Sequence, residues 1–397
     1  MAKIAIFGFG IVGGGIAEVL LQNYQLIKKS AGEDIEIKYI FDKRKFEGTK
    51  WESIVTDDIN VILDDPEVSV VCETMGGVHP AYDFSLAALK AGKSVVTSNK
   101  AVVAEKGPVL LDAARENNVS YLYEASVGGG IPIIHAMNSS LSGLEIYKIN
   151  GILNGTTNYI LTSMKEKGTS YDEALKKAQE LGYAEKDPAA DVSGADSCRK
   201  ICILAALAYG KLVNFENVSC RGIDDITKEE QTLVEEIGAS VKLVASASLS
   251  EGKLALSVAP CAVLPRNPLY AVNGVFNAVL VEASGLGEVL FCGQGAGRMP
   301  TASAVMSDII DIVSNNAPQN EPWSSVEKPE ASAFDEIKSF AVRAKTTAED
   351  IKALIPDAVI MSESDNAVNF AVKGISSRAL DSLLSKTAVL AVLDLFA

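Results

Sequence analysis

Three hundred and ninety-seven residues, at roughly 150 per domain, make two or three domains, and 48% hydrophobic against 22% charged residues supply a sizeable core. Thirty-six Lys and Arg against 51 Asp and Glu leave a net charge of −15, a field that repels phosphate backbones and anionic lipid, so neither nucleic acid nor a membrane surface is an expected partner. Apolar stretches such as Ile201 to Tyr209 fall far short of the ~20 residues that span a bilayer, and no targeting segment precedes the first strand pattern, which makes the cytoplasm the expected location.

Lys3 to Phe7 reads as a short strand, followed at once by Gly8-Phe9-Gly10-Ile11-Val12-Gly13 and a helical pattern through Ala17, Val19, Leu20 and Leu21. Strand, glycine turn and helix in that order are the context a dinucleotide fingerprint requires. Gly8 permits the tight turn, Gly10 lets backbone approach a pyrophosphate, and Gly13 allows close helix-to-strand packing, with the phosphates at the helix N-terminus. The second strand, Ile35 to Phe41, ends on Asp42, farther from Gly13 than the usual ~20 residues because a longer loop around Ser30 to Asp34 intervenes. An acid there suits the ribose 2′-hydroxyl of NAD. Lys43 and Arg44 suit a 2′-phosphate and keep NADP open.

Strand Val68 to Cys72, helix Ala81 to Ala91, strand Ser94 to Val96, helix Val109 to Asn117 and strand Val119 to Tyr123 continue the alternation, which specifies a parallel sheet covered on both faces. Ligands in such sheets bind beyond the carboxyl ends of the strands. Polar or glycine residues follow three of those ends, at Glu73 to Gly77, Thr97 to Lys100 and Glu124 to Gly130, which makes Lys100 a candidate contact for nicotinamide or substrate.

From Glu145 the pattern changes to a strand Ile146 to Ile152, a turn at Asn154-Gly155-Thr156 and a helix to Lys167. Ser170 to Glu173 and Thr227 to Glu230 have capping-box spacing. Two alternating strands between Ser240 and Pro260 flank Ser250-Glu251-Gly252 as a hairpin, and strands Asn277 to Glu282 and Glu288 to Cys292 follow, giving a mixed sheet with helices on one face. The densest polar cluster is Leu181 to Lys200. Asp196 and Lys200 are four apart and share a helix face, and the helix they open is too apolar to lie on the surface. Partly buried charges of this kind need partners and can set a lysine to give or take a proton; a capping ion pair near the surface is the alternative.

Asn315 to Glu336 has a linker composition, and the tail from Ile337 to Leu395 reads as β-α-β-β-α-β. Cys72, Cys198, Cys202, Cys220, Cys261 and Cys292 include no CxxC pair and read as reduced core residues. His79 and His135 sit in no metal motif, so proton transfer falls to Lys, Asp or Glu; His79, beside the Gly76-Gly77 turn, reads as a structural loop histidine.

Gly8 to Gly13, Ser98-Asn99-Lys100, Glu124 to Pro132, Gly151 to Ile160, Leu181 to Lys200, and Gly293 to Gly297 leading into Pro300-Thr301-Ala302 together resemble the homoserine dehydrogenase family over roughly residues 1 to 315. The resemblance implies reversible NAD- or NADP-dependent interconversion of L-homoserine and L-aspartate 4-semialdehyde, on the route to threonine and methionine. By it, Lys200 is the proton donor and acceptor, Glu185 and Asp196 hold the substrate, Asp191 orients the cluster, and Lys100 contacts the reacting oxygen or the cofactor. Ile11, Val12, Lys100, Gly182 and Gly297 match cofactor-contacting positions beside Gly8, Gly10, Gly13 and Asp42. Glu124, Val127, Gly129 and Ile131 match a monovalent-cation site, usually assigned to sodium, with a structural role. The tail resembles an ACT regulatory domain, but Arg343 to Thr347 lacks the Asp and Gly common where such domains bind amino acids, so an effector-binding, a dimerising and a vestigial module all stay open.

The expected fold is therefore α/β. A Rossmann-like parallel-sheet dinucleotide domain spans 1–130 and is completed by about 296–315. An α+β substrate and dimerisation domain spans 131–295, a linker 316–336, and a small βαββαβ domain 337–397. A homodimer or homotetramer is expected from the exposed sheet. An aspartate semialdehyde dehydrogenase would instead need an activated cysteine, and a nucleotide sensor would bind cofactor without turnover.

Overall fold

The computed structural model describes residues 1–319, 321–330, 336–364, 367–385 and 387–397. Of the expected linker 316–336, residues 320 and 331–335 lie outside the described residues, as do 365, 366 and 386 of the tail. Two compact units emerge, one of Met1–Leu144, Cys202–Asn214 and Gly293–Val326, the other of Glu145–Ile201, Phe215–Cys292 and Glu327–Ala397.

In chain order the elements begin with β1 (Ala2–Phe7), α1 (Ile11–Gln22), α2 (Tyr24–Ala31), β2 (Ile35–Phe41), β3 (Val55–Thr56), α3 (Asn60–Leu63), β4 (Val68–Glu73), α4 (Ala81–Lys90), β5 (Ser94–Thr97), α5 (Lys100–Glu116), β6 (Tyr121–Leu122) and α6 (Ile133–Asn138). The six strands form a parallel sheet in the order β3-β2-β1-β4-β5-β6. Ile4, Ile6, Val70, Val71, Val95 and Val96 are fully buried, as strands covered on both faces require. The chain leaves β1 toward one edge and returns through β4 toward the other, so the crevice expected to take a ligand opens beyond Phe7 and Glu73.

Two expectations change here. Residues 24–31 form α2, which buries Ile27 and Ala31, so the insertion between Gly13 and Asp42 is largely helical. Helix α5 starts at Lys100 instead of Val109. The Asn99 side chain accepts the amide of Val102, and the helix runs on through Gly107 and Pro108. Gly107 is needed because a Cβ there would sit 2.9 Å from the Trp323 ring.

The chain continues with β7 (Ile146–Ile152), α7 (Gly155–Lys167), α8 (Tyr171–Glu180), α9 (Ala189–Val192), α10 (Ala195–Tyr209), β8 (Lys211–Val213), β9 (Ser219–Cys220), α11 (Lys228–Glu236), β10 (Ser240–Ser250), β11 (Lys253–Val263), β12 (Phe276–Ala283), β13 (Gly287–Gln294), α12 (Arg298–Val313) and β14 (Ser324–Val326). Both capping boxes form, at Ser170 with Glu173 and at Thr227 with Glu230. Helix α12 belongs to the first unit, where it packs so close to α1 that a Cβ on Gly15 would lie 2.9 Å from Cβ of Ala302. Strands β8 and β14 pair in parallel there.

The tail supplies β15 (Lys338–Lys345), α13 (Ala348–Leu354), β16 (Val359–Ser364), β17 (Ala367–Ile375), α14 (Ser377–Leu384) and β18 (Ala388–Phe396). Its strands join those of the second unit in one mixed sheet, ordered β13-β12-β7-β10-β11-β18-β15-β17-β16, with β9 paired to β11. The seam is a short parallel pairing of Cys261 to Val263 with Asp394 to Phe396. Phe340, Val342, Val368, Phe370 and Leu380 form the tail's own core.

Candidate active site

In the first unit, Gly8 has φ +86, a conformation that disfavours any side chain, and a Cβ on Gly13 would collide with the Gly8 carbonyl and sit 3.1 Å from Thr74 Oγ1. Gly10 differs. It caps α1 without a side-chain hydrogen bond, and a Cβ there would meet nothing within 4 Å. That open space in front of the first turn of α1 is the cradle a pyrophosphate needs. Ile11 is 73% exposed at its lip, Val12 half-buried, and Gly297, at φ +125, caps α12 in the same unit.

Asp42 follows β2 as expected, but its carboxylate is already engaged. Oδ2 accepts from the Phe9 amide at 2.8 Å and from Arg44 Nη2 at 2.8 Å, and Oδ1 accepts from the Arg44 amide and Nε. The guanidinium, with these amides, draws the Asp42 carboxyl down to about 2. Lys100 is half-buried at the first position of α5.

The sequence reading missed Glu73, the last residue of β4. Its carboxyl accepts from the Thr97 hydroxyl and the Met75 amide, both at 2.6 Å, while Asn99 Nδ2 donates to the carbonyls of Met75 and Gly77. Burial pushes Glu73 up to about 7 despite these donors. The only signal in the sequence was polar residues at neighbouring strand ends. His79 has a partner that spacing should have shown, Asp83 four residues on at 2.7 Å, and both are exposed.

Glu124 is buried, and its carboxylate accepts the amides of Ile134 and His135 at the start of α6, while its own amide donates to Asp308. Desolvation raises Glu124 to about 7. The one carboxylate expected in the cation site thus takes one amide on each oxygen, and each oxygen keeps a further lone pair. Of the backbone carbonyls at 124, 127, 129 and 131, those at 124 and 131 accept amides, from Val127 and Ile133.

In the second unit the end of β7 and the starts of α7 and α10 converge. Asn154 caps α7 through Oδ1, which accepts the Thr157 amide at 2.9 Å, and its Nδ2 donates to Asp191 Oδ1 at 2.8 Å and Asp196 Oδ2 at 2.9 Å. Thr156 Oγ1 donates to the Tyr183 carbonyl and lies 3.0 Å from Asp191 Oδ2. Lys200 Nζ stands 2.8 Å from Asp196 Oδ2 and donates to the Leu153 carbonyl at 2.7 Å. Lys200 is 7% and Asp196 3% exposed, so this is a desolvated ion pair and not a surface cap. The sequence reading had placed Asn154 in a turn and missed that it holds both aspartates. Glu185 and Gly182 lie on an exposed loop, where the Glu185 carbonyl accepts from Gln179. Among the described residues, no hydrogen bond joins the Glu185 side chain to the cluster.

The family model described as homoserine dehydrogenase, NAD binding domain, matches residues 8–124, and that described as homoserine dehydrogenase matches residues 132–310. The homoserine dehydrogenase of Synechocystis is 44% identical over 78% of this chain and 73% of its own length. The chain belongs to the homoserine dehydrogenase family. The enzyme of that name from Helicobacter pylori is 37% identical over 92% of this chain and 87% of its own. A crystal structure of a homoserine dehydrogenase from Thiobacillus denitrificans superposes with a TM-score of 0.87 at 32% identity, covering 99% of this chain and 98% of that one. A hyperthermophilic archaeal homoserine dehydrogenase mutant, solved with NADPH, gives a TM-score of 0.67 at 30% identity over 80% of this chain and 99% of that one. Family membership brings with it NAD(P) binding and oxidoreductase activity.

Proposed function

We propose that this chain interconverts L-homoserine and L-aspartate 4-semialdehyde, with Lys200 giving a proton to the aldehyde oxygen in reduction and taking it back in oxidation. The observation that carries the reading is the buried Lys200 ammonium, fixed between the Asp196 carboxylate and the Leu153 carbonyl. When bound, NAD(P) supplies or accepts the hydride at its nicotinamide ring. The chain's own part is to hold and move one proton and to stabilise negative charge on the substrate oxygen, which an ammonium in a desolvated site does well.

Asp196 keeps Lys200 oriented and, with Glu185, offers acceptors to the substrate ammonium. Asp191, fixed by Asn154 and Thr156, positions that pair from the far side of the Asn154 amide. Gly8, Gly10, Gly13, Ile11, Val12 and Gly297 line the proposed cofactor cradle, Gly182 is a further cofactor contact, and Lys100 contacts the cofactor or the reacting oxygen. Engagement of both Asp42 oxygens by Arg44 and Phe9 supports NADP over NAD.

A monovalent cation, sodium by the family resemblance, would be held at Glu124, Val127, Gly129 and Ile131, mostly by backbone carbonyls with one carboxylate, and no chemical step depends on it. The tail reads as an ACT-like module, supported by its β-α-β-β-α-β order and the β18-β15-β17-β16 pairing. Edge strand β13, with Leu290 exposed and Phe276 and Leu286 exposed near it in sequence, supports a homodimer or homotetramer. None of the described helices is long and apolar enough to cross a membrane. We place the reaction in the cytoplasm, where NAD(P) and its small polar substrates reside.

The test follows NAD(P)H absorbance with homoserine and with aspartate semialdehyde, using NAD and NADP in parallel, for the wild type and Lys200→Met. General-base and general-acid roles of this kind are worth about 10²–10⁴-fold, and a loss of about 10³-fold in kcat with cofactor affinity retained is expected. Unchanged turnover would remove Lys200 from the mechanism.

A further inference from the structure

The second unit holds one more buried ammonium that the proposed reaction does not use. Lys242, on β10, is 1% exposed, and its Nζ donates to Asn273 Oδ1 at 2.8 Å, to Asn158 Oδ1 at 3.2 Å and to the Val272 carbonyl. These oxygens come from two places, helix α7 and the segment 272–276 that leads into β12. An ammonium among neutral oxygens is costly to bury. What offsets the cost is the set of charge-assisted hydrogen bonds, which fastens both places to one strand.

The rest of the segment is fastened to the same helix. Asn158, also 1% exposed, donates from Nδ2 to the Val272 carbonyl at 3.1 Å and the Phe276 carbonyl at 3.0 Å. One turn on, Thr162 Oγ1 donates to the Asn158 carbonyl at 2.7 Å and accepts the Gly274 amide at 3.0 Å. Val275 lies so near the start of α7 that a Cβ on Gly155 would sit 2.9 Å from its carbonyl oxygen. Asn158 in turn closes the first turn of the helix. Its amide donates to the Asn154 carbonyl at 3.3 Å, and the Thr157 hydroxyl donates to the same oxygen at 3.1 Å. Asn154 and Asn158 therefore stand about 6 Å apart along one helix axis, too near to move independently. The side chain of Asn154 is the one that bridges Asp191 and Asp196.

We propose that Lys242 is a positioning residue for the proton transfer: by clamping Asn158 and the segment 272–276 together it fixes the first turn of α7, and through Asn154 it holds Asp191 and Asp196 in register with Lys200. Lys242 itself is closed off from solvent and touches neither substrate nor cofactor. Without its ammonium, Asn158 Oδ1 and Asn273 Oδ1 lose this donor, and the segment is left to the grip of Asn158 Nδ2 and Thr162. A displacement of about 1 Å at a catalytic group costs up to about 10²-fold, so even a smaller shift at Asn154 is read in turnover. The effect on turnover rests on the proposed role of Lys200; the clamp on α7 does not.

The experiment compares Lys242→Met with the wild-type full-length enzyme, alone and on top of Asn154→Ala. Folded fraction is measured by circular dichroism, and initial rates are taken with homoserine and NAD(P) varied in turn. On the wild-type background, Lys242→Met should lower kcat/KM for homoserine by about tenfold or more, with part of the loss in KM for homoserine, while KM for NAD(P) stays within about twofold. A mere loss of folded enzyme would lower kcat and leave both KM values alone. On the Asn154→Ala background the same substitution should cost less than about twofold, because the residue it acts through is gone. Lys242→Met strips buried oxygens of their donor, so Asn273→Ala, at an exposed position, carries the test should that variant not fold. It removes one acceptor, and a loss of about threefold is expected, again only with Asn154 present. Three results would each overturn the proposal: kcat/KM unchanged in folded Lys242→Met or, where that does not fold, in Asn273→Ala; a loss confined to kcat with both KM values kept; or an equal loss with and without Asn154. Failure of the Lys200 reading shows separately, as full activity in Lys200→Met.

Discussion

The two units bury acids in opposite ways. In the first, Glu73, Glu124 and Asp308 lie among amides and a hydroxyl, and burial raises all three, Glu73 and Glu124 to about 7 and Asp308 well above its ordinary value. In the second, Asp196 is buried to nearly the same degree as Glu124 but has the Lys200 ammonium 2.8 Å away. A buried acid without a cation keeps its proton and serves packing. A buried acid with one forms a pair whose charge is available to a substrate. Lys242 shows the converse within the second unit. It is 1% exposed, its amine bonds to oxygens of Asn158, Val272 and Asn273 with no carboxylate among them, and burial lowers it to about 8.

The sharpest break of this contrast is to remove the cation from the Asp196 pair. Lys200→Met leaves a buried carboxylate facing Asn154, and losing one partner of such a pair costs about 3–5 kcal/mol. Urea unfolding at neutral pH should show a loss of that size, and adding Asp196→Asn should recover part of it. Equal stability of the single variant and the wild type would mean that the pair is well hydrated.

Next in size is the proton on Glu73. Its ordinary value is 4.5 and its folded value about 7, so the folded form binds the extra proton in between. That contribution to stability is fully present below 4.5 and is lost as pH rises through about 7, by about 3 kcal/mol in all. In Glu73→Gln, the Thr97 hydroxyl can reverse its hydrogen bond to accept from the amide, so the slope due to this site should vanish while stability at low pH stays within about 1 kcal/mol. Unfolding free energies from pH 4 to 8 for the two proteins decide it, and parallel curves would show that burial does not raise Glu73 in the folded state.

The glycine turn divides along similar lines, into a position that packs and a position that binds. Gly13→Ala drives a methyl into the Gly8 carbonyl and should cost about 1–3 kcal/mol of stability or more. Gly10→Ala enters open space, so its melting temperature should hold while KM for NAD(P) rises about tenfold, equivalent to 1.4 kcal/mol. A loss of stability in both would deny Gly10 its place in the cofactor cradle.

What the sequence made legible follows the same division. Strands β1, β2 and β4 and helix α7 were readable because hydrophobic runs and turn residues are local signals, and both capping boxes were visible in their four-residue spacing. Helix α5 was cut short because Gly107 and Pro108 look like breakers, and only Trp323, more than two hundred residues away, shows why a glycine is wanted. Asp196 with Lys200 was legible because both lie on one helix face. The grip of Asn154 on Asp191 and Asp196, and of Glu73 on Thr97, joins residues 24 to 42 apart, and no periodicity reports such pairs. Cys220 and Cys292 were misjudged as core residues, since an apolar neighbourhood in sequence does not fix which side of a strand faces solvent.

The smallest expected effect concerns Asp42, the acid after β2 that does hold a cation. Arg44 is 61% exposed at its side chain, so its ion pair adds little to stability and its removal should leave the unfolding midpoint almost unchanged. Cofactor choice is where the pair should count. With the guanidinium gone, Asp42 keeps the backbone amides of Phe9 and of position 44 and regains acceptor capacity on both oxygens for a ribose 2′-hydroxyl, while a 2′-phosphate loses its planar donor and faces the carboxylate. Arg44→Ala should therefore lower kcat/KM for NADP relative to NAD by about 5- to 10-fold, of the order of 1 kcal/mol, the size of one exposed charge contact. Paired kinetics with the two cofactors measure the ratio directly. A ratio unmoved by the substitution would show that Arg44 serves only to fasten Asp42 to the glycine turn, and that the choice between cofactors is made elsewhere in the loop, by Lys43 or Lys45.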